Sequence, residues 1–351
     1  MKFFHISDVH LGVCPDPGSA WSDQRAREIW KSFQDLIQKA SERQIDLLLI
    51  AGDLFWRQPL MREVKEINAL FSLIPKTKIV LIAGEHDYLR PDSCYLKCQW
   101  SSNVFFMSTK ECSGIYFPDL NTEVYGLSYY EKEITEPLYD DISPQDNGCF
   151  HILLAHGGDE THIPIDKKKL SESGFDYVAL GHFHKSQTVL DRHAYYSGSL
   201  EPIDKTDLGP HGYIEGQVDE DKRMSLRFVP WAKREYLILS VTSTEQFTDE
   251  DLKTQVEQTI SKRGKQHFYR ILIDGVRDPM VRFDLEGCKK LGNVVEIMDR
   301  TTPVYNFRKL LLQNGNNLIG RYIRQFQNGA LTEAEKEALY EGIDALLNAK
   351  R

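Results

Sequence analysis

Residues 46–53 read DLLLIAGD, an uninterrupted apolar run that ends in a glycine and an aspartate. Such a run is typical of a strand that is buried on both faces of a sheet. Residues 78–84 repeat this pattern and also end in a glycine. Helical apolar spacing over residues 25–42 and 61–73 separates these strands from each other and from a first strand at residues 3–7. This rhythm predicts parallel strands that are joined by right-handed crossovers.

Aspartates and histidines recur directly after the predicted strands. In chain order the segments are Asp8-Val9-His10, Gly52-Asp53, Gly84-Glu85-His86-Asp87, His156-Gly157 and Gly181-His182-Phe183-His184. Open α/β sheets place their ligands beyond the carboxyl ends of the strands, so we expect these side chains to meet at one edge. A single Asp-x-His or Gly-Asp segment is weak evidence, whereas five in this order are hard to explain by structural roles alone.

These residue types suit a pair of divalent metal ions, and two adjacent ions form a site for phosphate ester hydrolysis. Mixed carboxylate and imidazole ligands favour Mn²⁺ or Fe²⁺ over an all-oxygen Mg²⁺ cage, and Zn²⁺ remains an alternative. Asp53 follows a glycine that permits a tight turn, so its carboxylate could bridge both ions. We predict that His86 protonates the leaving alkoxide and that Asp87 orients or tunes its imidazole.

The composition is that of an ordinary globular protein of 351 residues, with a net charge of −9. This charge excludes a protein that holds DNA by a broad basic surface alone. The apolar runs are too short for a membrane span or a secretory signal, so we expect a cytoplasmic protein without membrane association. Six cysteines are too sparse for a disulfide framework, and we favour reduced thiols over a thiolate metal site at Cys94 and Cys98.

The pattern changes along the chain and predicts three regions. Residues 1–232 form an α/β domain, residues 233–302 a small α+β domain, and residues 303–351 a helical tail. Within the tail, Thr332 and Glu335 have the spacing of a capping box, which predicts the start of a last helix. The apolar stripes of the tail could bind a partner protein or pack on the preceding domain, and we favour partner binding.

The ordered series of motifs resembles that of the calcineurin-like metallophosphoesterases. Residues 5–12 (HISDVHLG) and 196–199 (YSGS) are more narrowly similar to SbcD-type DNA repair nucleases. The resemblance implies a four-layer α/β/β/α sandwich, a small α+β capping domain and a C-terminal helical tail that binds an SMC-like ATPase of the SbcC type. It also implies a homodimer that acts on DNA.

Carried over by position, the resemblance implies a first ion on Asp8, His10, Asp53 and His184, and a second on Asp53, Glu85, His156 and His182. Glu85 departs from the family, which usually has asparagine there. A glutamate can still ligate through oxygen, but its charge could tighten the second ion and repel the substrate phosphate. The leading hypothesis is a metal-dependent DNA exonuclease or endonuclease with an ATPase partner. The alternatives are a small-molecule phosphodiesterase or phosphatase, and a DNA-binding scaffold with attenuated catalysis.

Overall fold

The computed structural model describes residues 1–191, 193–327 and 329–349. The chain divides into two compact units, Met1–Tyr236 and Leu237–Arg351. The sequence-based boundaries after residues 232 and 302 remain predictions. Among the described residues, no helix combines the length and the apolar character that a bilayer crossing requires.

The first unit alternates strands and helices before it becomes mainly β. Its elements are β1 (Lys2–Ile6), α1 (Ser22–Glu42), β2 (Leu47–Ala51), α2 (Met61–Ser72), β3 (Lys78–Ile82), α3 (Cys94–Lys97), β4 (Val104–Phe106), β5 (Ser113–Phe117), β6 (Thr122–Gly126), β7 (Phe150–His156), α4 (Lys167–Glu172), β8 (Tyr177–Gly181), β9 (Gln187–Leu190), β10 (Ala194–Tyr196), β11 (Gly212–Val218) and β12 (Met224–Pro230). The crossovers predicted between the first three strands are helices α1 and α2.

The strands of this unit form mixed sheets whose central strands run parallel. One sheet has the order β12-β11-β1-β2-β3-β4, and its strands β1 to β4 run parallel. Another has the order β5-β6-β7-β8-β10-β9, in which β6, β7, β8 and β10 run parallel. The carboxyl ends of β1, β2 and β3 therefore share one edge, as do those of β7 and β8.

The alternation of side chains along β2 shows why its whole length is apolar. Leu47 and Leu49 pack into a core that also contains Ile152 and Leu154 from β7, so this core lies between the sheets. Leu48 and Ile50 pack instead with residues of α1 and α2. A further core covers the outer face of the second sheet, with α4 and neighbouring loops. The predicted α/β sandwich is confirmed.

The second unit contains a small sheet followed by helices. Its elements are β13 (Tyr236–Ser243), which begins at the last residue of the first unit, α5 (Asp249–Arg263), β14 (Phe268–Arg277), α6 (Leu285–Lys289), β15 (Val294–Asp299), β16 (Thr302–Pro303), α7 (Phe307–Asn314), α8 (Leu318–Gln325) and α9 (Glu333–Ala349). The sheet order is β13-β14-β15, and β16 pairs with β14. Helices α7, α8 and α9 enclose a hydrophobic cluster of their own, separate from the core of the sheet.

The predicted capping box precedes α9. The Thr332 N–H donates to Glu335 Oε2 at 2.8 Å, and the Glu335 N–H donates to Thr332 Oγ1 at 3.3 Å. These bonds satisfy donors that the first helical turn leaves without partners. Leu318, the first residue of α8, is 65% exposed and lies outside the cluster that the tail helices bury.

Candidate metal centre

The residues predicted as metal ligands converge beyond the carboxyl ends of the parallel strands. Asp8 and His10 follow β1, Asp53 follows β2 and Glu85 follows β3, while His156 ends β7 and the remaining histidines follow β8. Within each of the following groups, the candidate ligand atoms lie within 4.8 Å of one another: Asp8, His10 and His184; His10, Asp53 and His86; Asp8, Asp53 and His156; Glu85, His156 and His182. The clusters share members, so they form one continuous centre.

The loops after β1 and β2 run side by side and are sharply turned. The Asp8 N–H donates to the Gly52 carbonyl at 3.2 Å, and the His10 N–H donates to the Asp53 carbonyl at 3.1 Å. Asp8, His10 and Asp53 all have φ near +51°, and His182 has φ of +107°. A non-glycine residue at such an angle costs about 1–3 kcal/mol. Four of the nine non-glycine residues with positive φ in the described part of the chain are therefore predicted ligands.

The glycines in the motifs make room for the ligands. At Gly84 an added Cβ would lie 2.3 Å from Asp53 Oδ1, and at Gly52 it would lie 2.3 Å from His156 Nδ1. Both contacts are far shorter than van der Waals separation. These two glycines therefore allow the carboxylate and the imidazole to approach the strand ends closely.

At one end of the centre, the rings of His10 and His184 face each other. Their Nε2 atoms are 3.0 Å apart. Burial, and then the neighbouring His184 and His86 rings, lower the pKa of His10 well below its usual value. His10 is therefore neutral near pH 7, which is the form that binds metals. Asp8 is buried beside this pair and accepts the His182 N–H at 3.0 Å.

Asp53 lies at the middle of the centre and has an unsatisfied oxygen. Its Oδ1 accepts the His86 N–H at 2.9 Å. Its buried Oδ2 has no hydrogen-bond partner among the described residues, and it lies 3.7 Å from His156 Nε2. Burial, and then the charge of Glu85, raise the pKa of Asp53 well above its usual value. A buried carboxylate oxygen without a partner is costly, and a cation would supply the missing contact. The donor set therefore fits divalent metal ions.

At the other end, Glu85 contacts two histidines at once. Its Oε1 lies 2.9 Å from His182 Nδ1, and its Oε2 is in close contact with His156 Nε2. His156 Nδ1 donates to the Ala51 carbonyl at 2.7 Å, which directs Nε2 towards Glu85. Burial opposes protonation of His156, but Glu85 and then Asp53 raise its pKa well above the usual value.

His86 is oriented by Trp56. Its Nδ1 donates to the Trp56 carbonyl at 2.9 Å, and its ring stacks on the indole with centroids 4.3 Å apart. Its Nε2 lies 4.0 Å from Asp53 Oδ2 and therefore faces the centre. Burial lowers the pKa of His86. A lower pKa makes the protonated ring a stronger acid.

Asp87 was predicted to orient the His86 imidazole, but its hydrogen bonds are made to other groups. Its buried carboxylate accepts the Gly84 N–H at 2.9 Å, the Phe55 N–H at 3.0 Å and the Tyr95 hydroxyl at 2.6 Å. Burial raises the pKa of Asp87 to about 6. Asp87 thus ties the loop after β3 to the loop after β2, because the backbone N–H groups of both loops need a buried acceptor.

Sequence reasoning missed the carboxylates behind the histidines. Asp159 Oδ2 lies 2.7 Å from His182 Nε2, and both oxygens of Asp207 lie 3.2 Å from His184 Nδ1. His162 forms a further group of candidate ligands with Asp159 and His182. Asp207 lies in a loop away from any strand end, so the strand-end pattern could not identify it. Asp159 lies three residues after β7, as His184 does after β8, so the same pattern extended past Gly158 could have found it.

Comparisons with known proteins agree on the family to which this chain is similar. The model of the family described as calcineurin-like phosphoesterase matches residues 1–186. The uncharacterized metallophosphoesterase YhaO of Bacillus subtilis is 27% identical over 305 residues, which are 78% of this chain and 72% of that protein. One subunit of the SbcCD nuclease of Staphylococcus epidermidis, its SbcD chain, is 25% identical over 80% of this chain and 82% of its own length. The DNA double-strand break repair protein Mre11 of Aeropyrum pernix is 28% identical over 60% of this chain and 56% of its own length.

Proposed function

The chain belongs to the calcineurin-like phosphoesterase family, and from this premise we propose that it is a nuclease that hydrolyses DNA phosphodiester bonds with two divalent metal ions. The observation that carries this proposal is the buried Asp53 Oδ2, which has no hydrogen-bond partner in the described part of the chain, on a residue that belongs to two groups of candidate ligands. A bridging carboxylate needs such an oxygen.

We assign the ligands by their positions around Asp53. The first ion would be held by Asp8, His10, Asp53 and His184, and the second by Asp53, Glu85, His156 and His182. The mixture of imidazole and carboxylate favours Mn²⁺, with Fe²⁺, Mg²⁺ and Zn²⁺ as the alternatives to test. When bound, the ions would neutralise the phosphate and lower the pKa of a water molecule.

The chain's own residues supply the remaining steps. His86 Nε2 faces the centre while Nδ1 is held by the Trp56 carbonyl, so only Nε2 is directed to carry a proton to the leaving alkoxide. Asp87 keeps the loop that carries His86 in place through its three hydrogen bonds. Trp56 is 39% exposed, and its indole lies beside this acid. It could therefore stack on a nucleobase.

We also propose that the protein works with partners. Relatives that are named as DNA repair proteins and as part of a nuclease support a repair complex with DNA and an SMC-like ATPase of the SbcC type. Helices α7 to α9 form the candidate ATPase-binding tail. We further propose that the protein forms a homodimer through the first unit and is located in the cytoplasm.

A second candidate function is a DNA-binding scaffold with attenuated catalysis. Glu85 favours it, because its carboxylate already binds the two histidines assigned to the second ion. A small-molecule phosphodiesterase or phosphatase is less well supported, because a small substrate does not require the second unit.

The test is cleavage of labelled single- and double-stranded DNA by the purified protein with Mn²⁺, with nucleotide phosphodiesters in parallel. We expect DNA to be cleaved and His86→Ala to lose about 10²–10⁴-fold in turnover while it retains its metal. His193→Ala is the matched control, because this exposed histidine lies outside the candidate clusters. Absence of DNA cleavage with and without the ATPase would refute the nuclease, and faster turnover of nucleotides would favour the small-molecule function.

A further inference from the structure

The two histidines that follow β8 present opposite ring nitrogens to the centre. His182 directs Nδ1 towards Glu85 Oε1 at 2.9 Å, whereas His184 directs Nε2 towards His10 Nε2 at 3.0 Å. A neutral imidazole that binds a metal through one nitrogen carries its hydrogen on the other. As ligands, His182 and His184 therefore need opposite tautomers, although they are only two residues apart.

A carboxylate lies at each outward nitrogen. Asp159 Oδ2 is 2.7 Å from His182 Nε2, and both Asp207 oxygens are 3.2 Å from His184 Nδ1. An ionised carboxylate can only accept hydrogen bonds, so each outward nitrogen must be the donor. When an ion binds the inward nitrogen, the single hydrogen of the neutral ring is thereby held on the outward nitrogen.

Both carboxylates are fixed by bonds to their own loops. Asp159 Oδ1 accepts the backbone N–H groups of Thr161 at 2.8 Å and His162 at 2.9 Å. Asp207 Oδ2 accepts the Ile203 N–H at 2.9 Å. His162 Nδ1 also contacts both Asp159 oxygens, at 2.9 and 3.0 Å. The positions of both carboxylates are therefore set by groups of their own loops as well as by His182 and His184.

We propose that Asp159 and Asp207 are positioning residues that fix His182 and His184 in opposite tautomers. His182 then binds the second ion through Nδ1, and His184 binds the first ion through Nε2. This inference rests on the proposed metal centre but not on DNA as the substrate. Loss of such a carboxylate typically weakens metal binding about 10–100-fold.

Calorimetric titration of the metal-free protein with Mn²⁺ tests the proposal. We expect Asp159→Ala and Asp207→Ala each to weaken one of two binding steps about 10–100-fold and to leave the other unchanged. When both substitutions are combined, both steps should weaken. Asp159→Asn keeps an acceptor oxygen and should lose less. Glu160→Ala removes the same charge at an exposed neighbouring position and should bind Mn²⁺ like the wild type.

The tautomers can be read directly from ¹⁵N-histidine NMR of the Zn²⁺-loaded protein. We expect an Nε2–H ring for His182 and an Nδ1–H ring for His184; the same tautomer at both positions would overturn the proposal. Unchanged Mn²⁺ affinity in both alanine variants would also overturn it. If circular dichroism shows that Asp159→Ala does not fold, the Mn²⁺ titration is made with Asp159→Asn instead.

The outcomes separate this inference from the proposed function. Mn²⁺ binding with the expected losses but without DNA cleavage would refute the nuclease and support the positioning roles. A wild-type protein that binds no Mn²⁺ would overturn the metal centre and the positioning roles together.

Discussion

Glu85 is the residue at which the centre differs from the asparagine that the family resemblance implies. Its carboxylate contacts His156 and His182 together, so one side chain binds both rings where the second ion is expected. Although burial raises its pKa, these rings hold the pKa of Glu85 below its usual value. The group is therefore ionised near neutral pH and available to a cation.

We expect Glu85→Gln to weaken the second Mn²⁺ site at least about tenfold, because it keeps the oxygen but removes a unit charge near the ion. Mn²⁺ titration of the metal-free protein measures this change, with Glu160→Gln as the exposed control. Unchanged affinity would show that the charge of Glu85 does not contribute to the second site. Glu85→Asn then distinguishes the two functions: higher nuclease turnover would indicate attenuation by glutamate, and lost turnover would indicate a working ligand.

Trp56 is the residue from which a preference for nucleic acid is expected. His86 covers one face of its indole, while 39% of the residue is exposed. Base stacking on an aromatic side chain contributes about 1–3 kcal/mol, so Trp56→Ala should weaken binding of single-stranded DNA about 5–150-fold. Trp56→Phe should retain most of the affinity.

Fluorescence anisotropy with a cleavage-resistant phosphorothioate oligonucleotide measures this binding. An abasic oligonucleotide of the same length is the control, because it has the same charge but nothing to stack. An equal loss of affinity for both oligonucleotides would assign Trp56 a role in shaping the centre rather than in recognising bases.

Among the elements, the loop after β3 depends on Asp87 for its position. Asp87→Asn replaces one carboxylate oxygen by an amide N–H₂, so either the Gly84 or the Phe55 backbone N–H loses its acceptor. We expect this change to destabilise the first unit by about 1–3 kcal/mol. Tyr95→Phe removes only the hydroxyl bond to Asp87 and should cost about 1 kcal/mol.

Urea unfolding followed by tryptophan fluorescence reports on this unit, because all five tryptophans precede residue 237. An Asp87→Asn midpoint equal to that of the wild type would show that the loop is held by other contacts. A loss of turnover with unchanged stability would instead support the role in tuning His86 that the sequence first indicated.

The sequence predicts best those elements whose own residues determine their burial. Strands β2 and β3 were predictable because both of their faces are buried, whereas β5 and β9 are partly exposed edge strands without a clear apolar period. The convergence of Asp8 and Asp53 followed from the shared edge of parallel strands, whereas the approach of His156 from the other sheet depends on how the sheets pack together. The contacts of Asp159 and Asp207 depend on loop conformation, which no periodicity specifies.

At the scale of the whole molecule, the candidate metal centre and the candidate partner surface belong to different units. Every assigned ligand precedes residue 237. Within the second unit, Tyr305, Ile319 and Ile343 belong to a cluster formed by the tail, while the sheet has its own core. The tail helices thus pack on one another, and Leu312 remains 83% exposed on α7.

Removal of the tail should therefore separate partner binding from metal binding. The deletion should begin at residue 305, because β16 ends at Pro303 and pairs with β14. We expect the shortened chain to lose association with the SMC-like ATPase in analytical gel filtration, while its Mn²⁺ titration stays that of the full chain.

The point substitution Leu312→Glu provides a milder test, because it places a charge on an exposed position without entering the tail's core. If α7 contributes to the ATPase interface, this variant should weaken association while α9 and the capping box at Thr332 stay folded. Lys309→Glu on the same helix is the control for charge, since it introduces the same acidic side chain at another exposed position. Weaker association for both variants would indicate an electrostatic surface rather than an apolar one.

Full association after the deletion from residue 305 would refute the tail as the ATPase-binding region, because no part of α7 to α9 would then remain to bind.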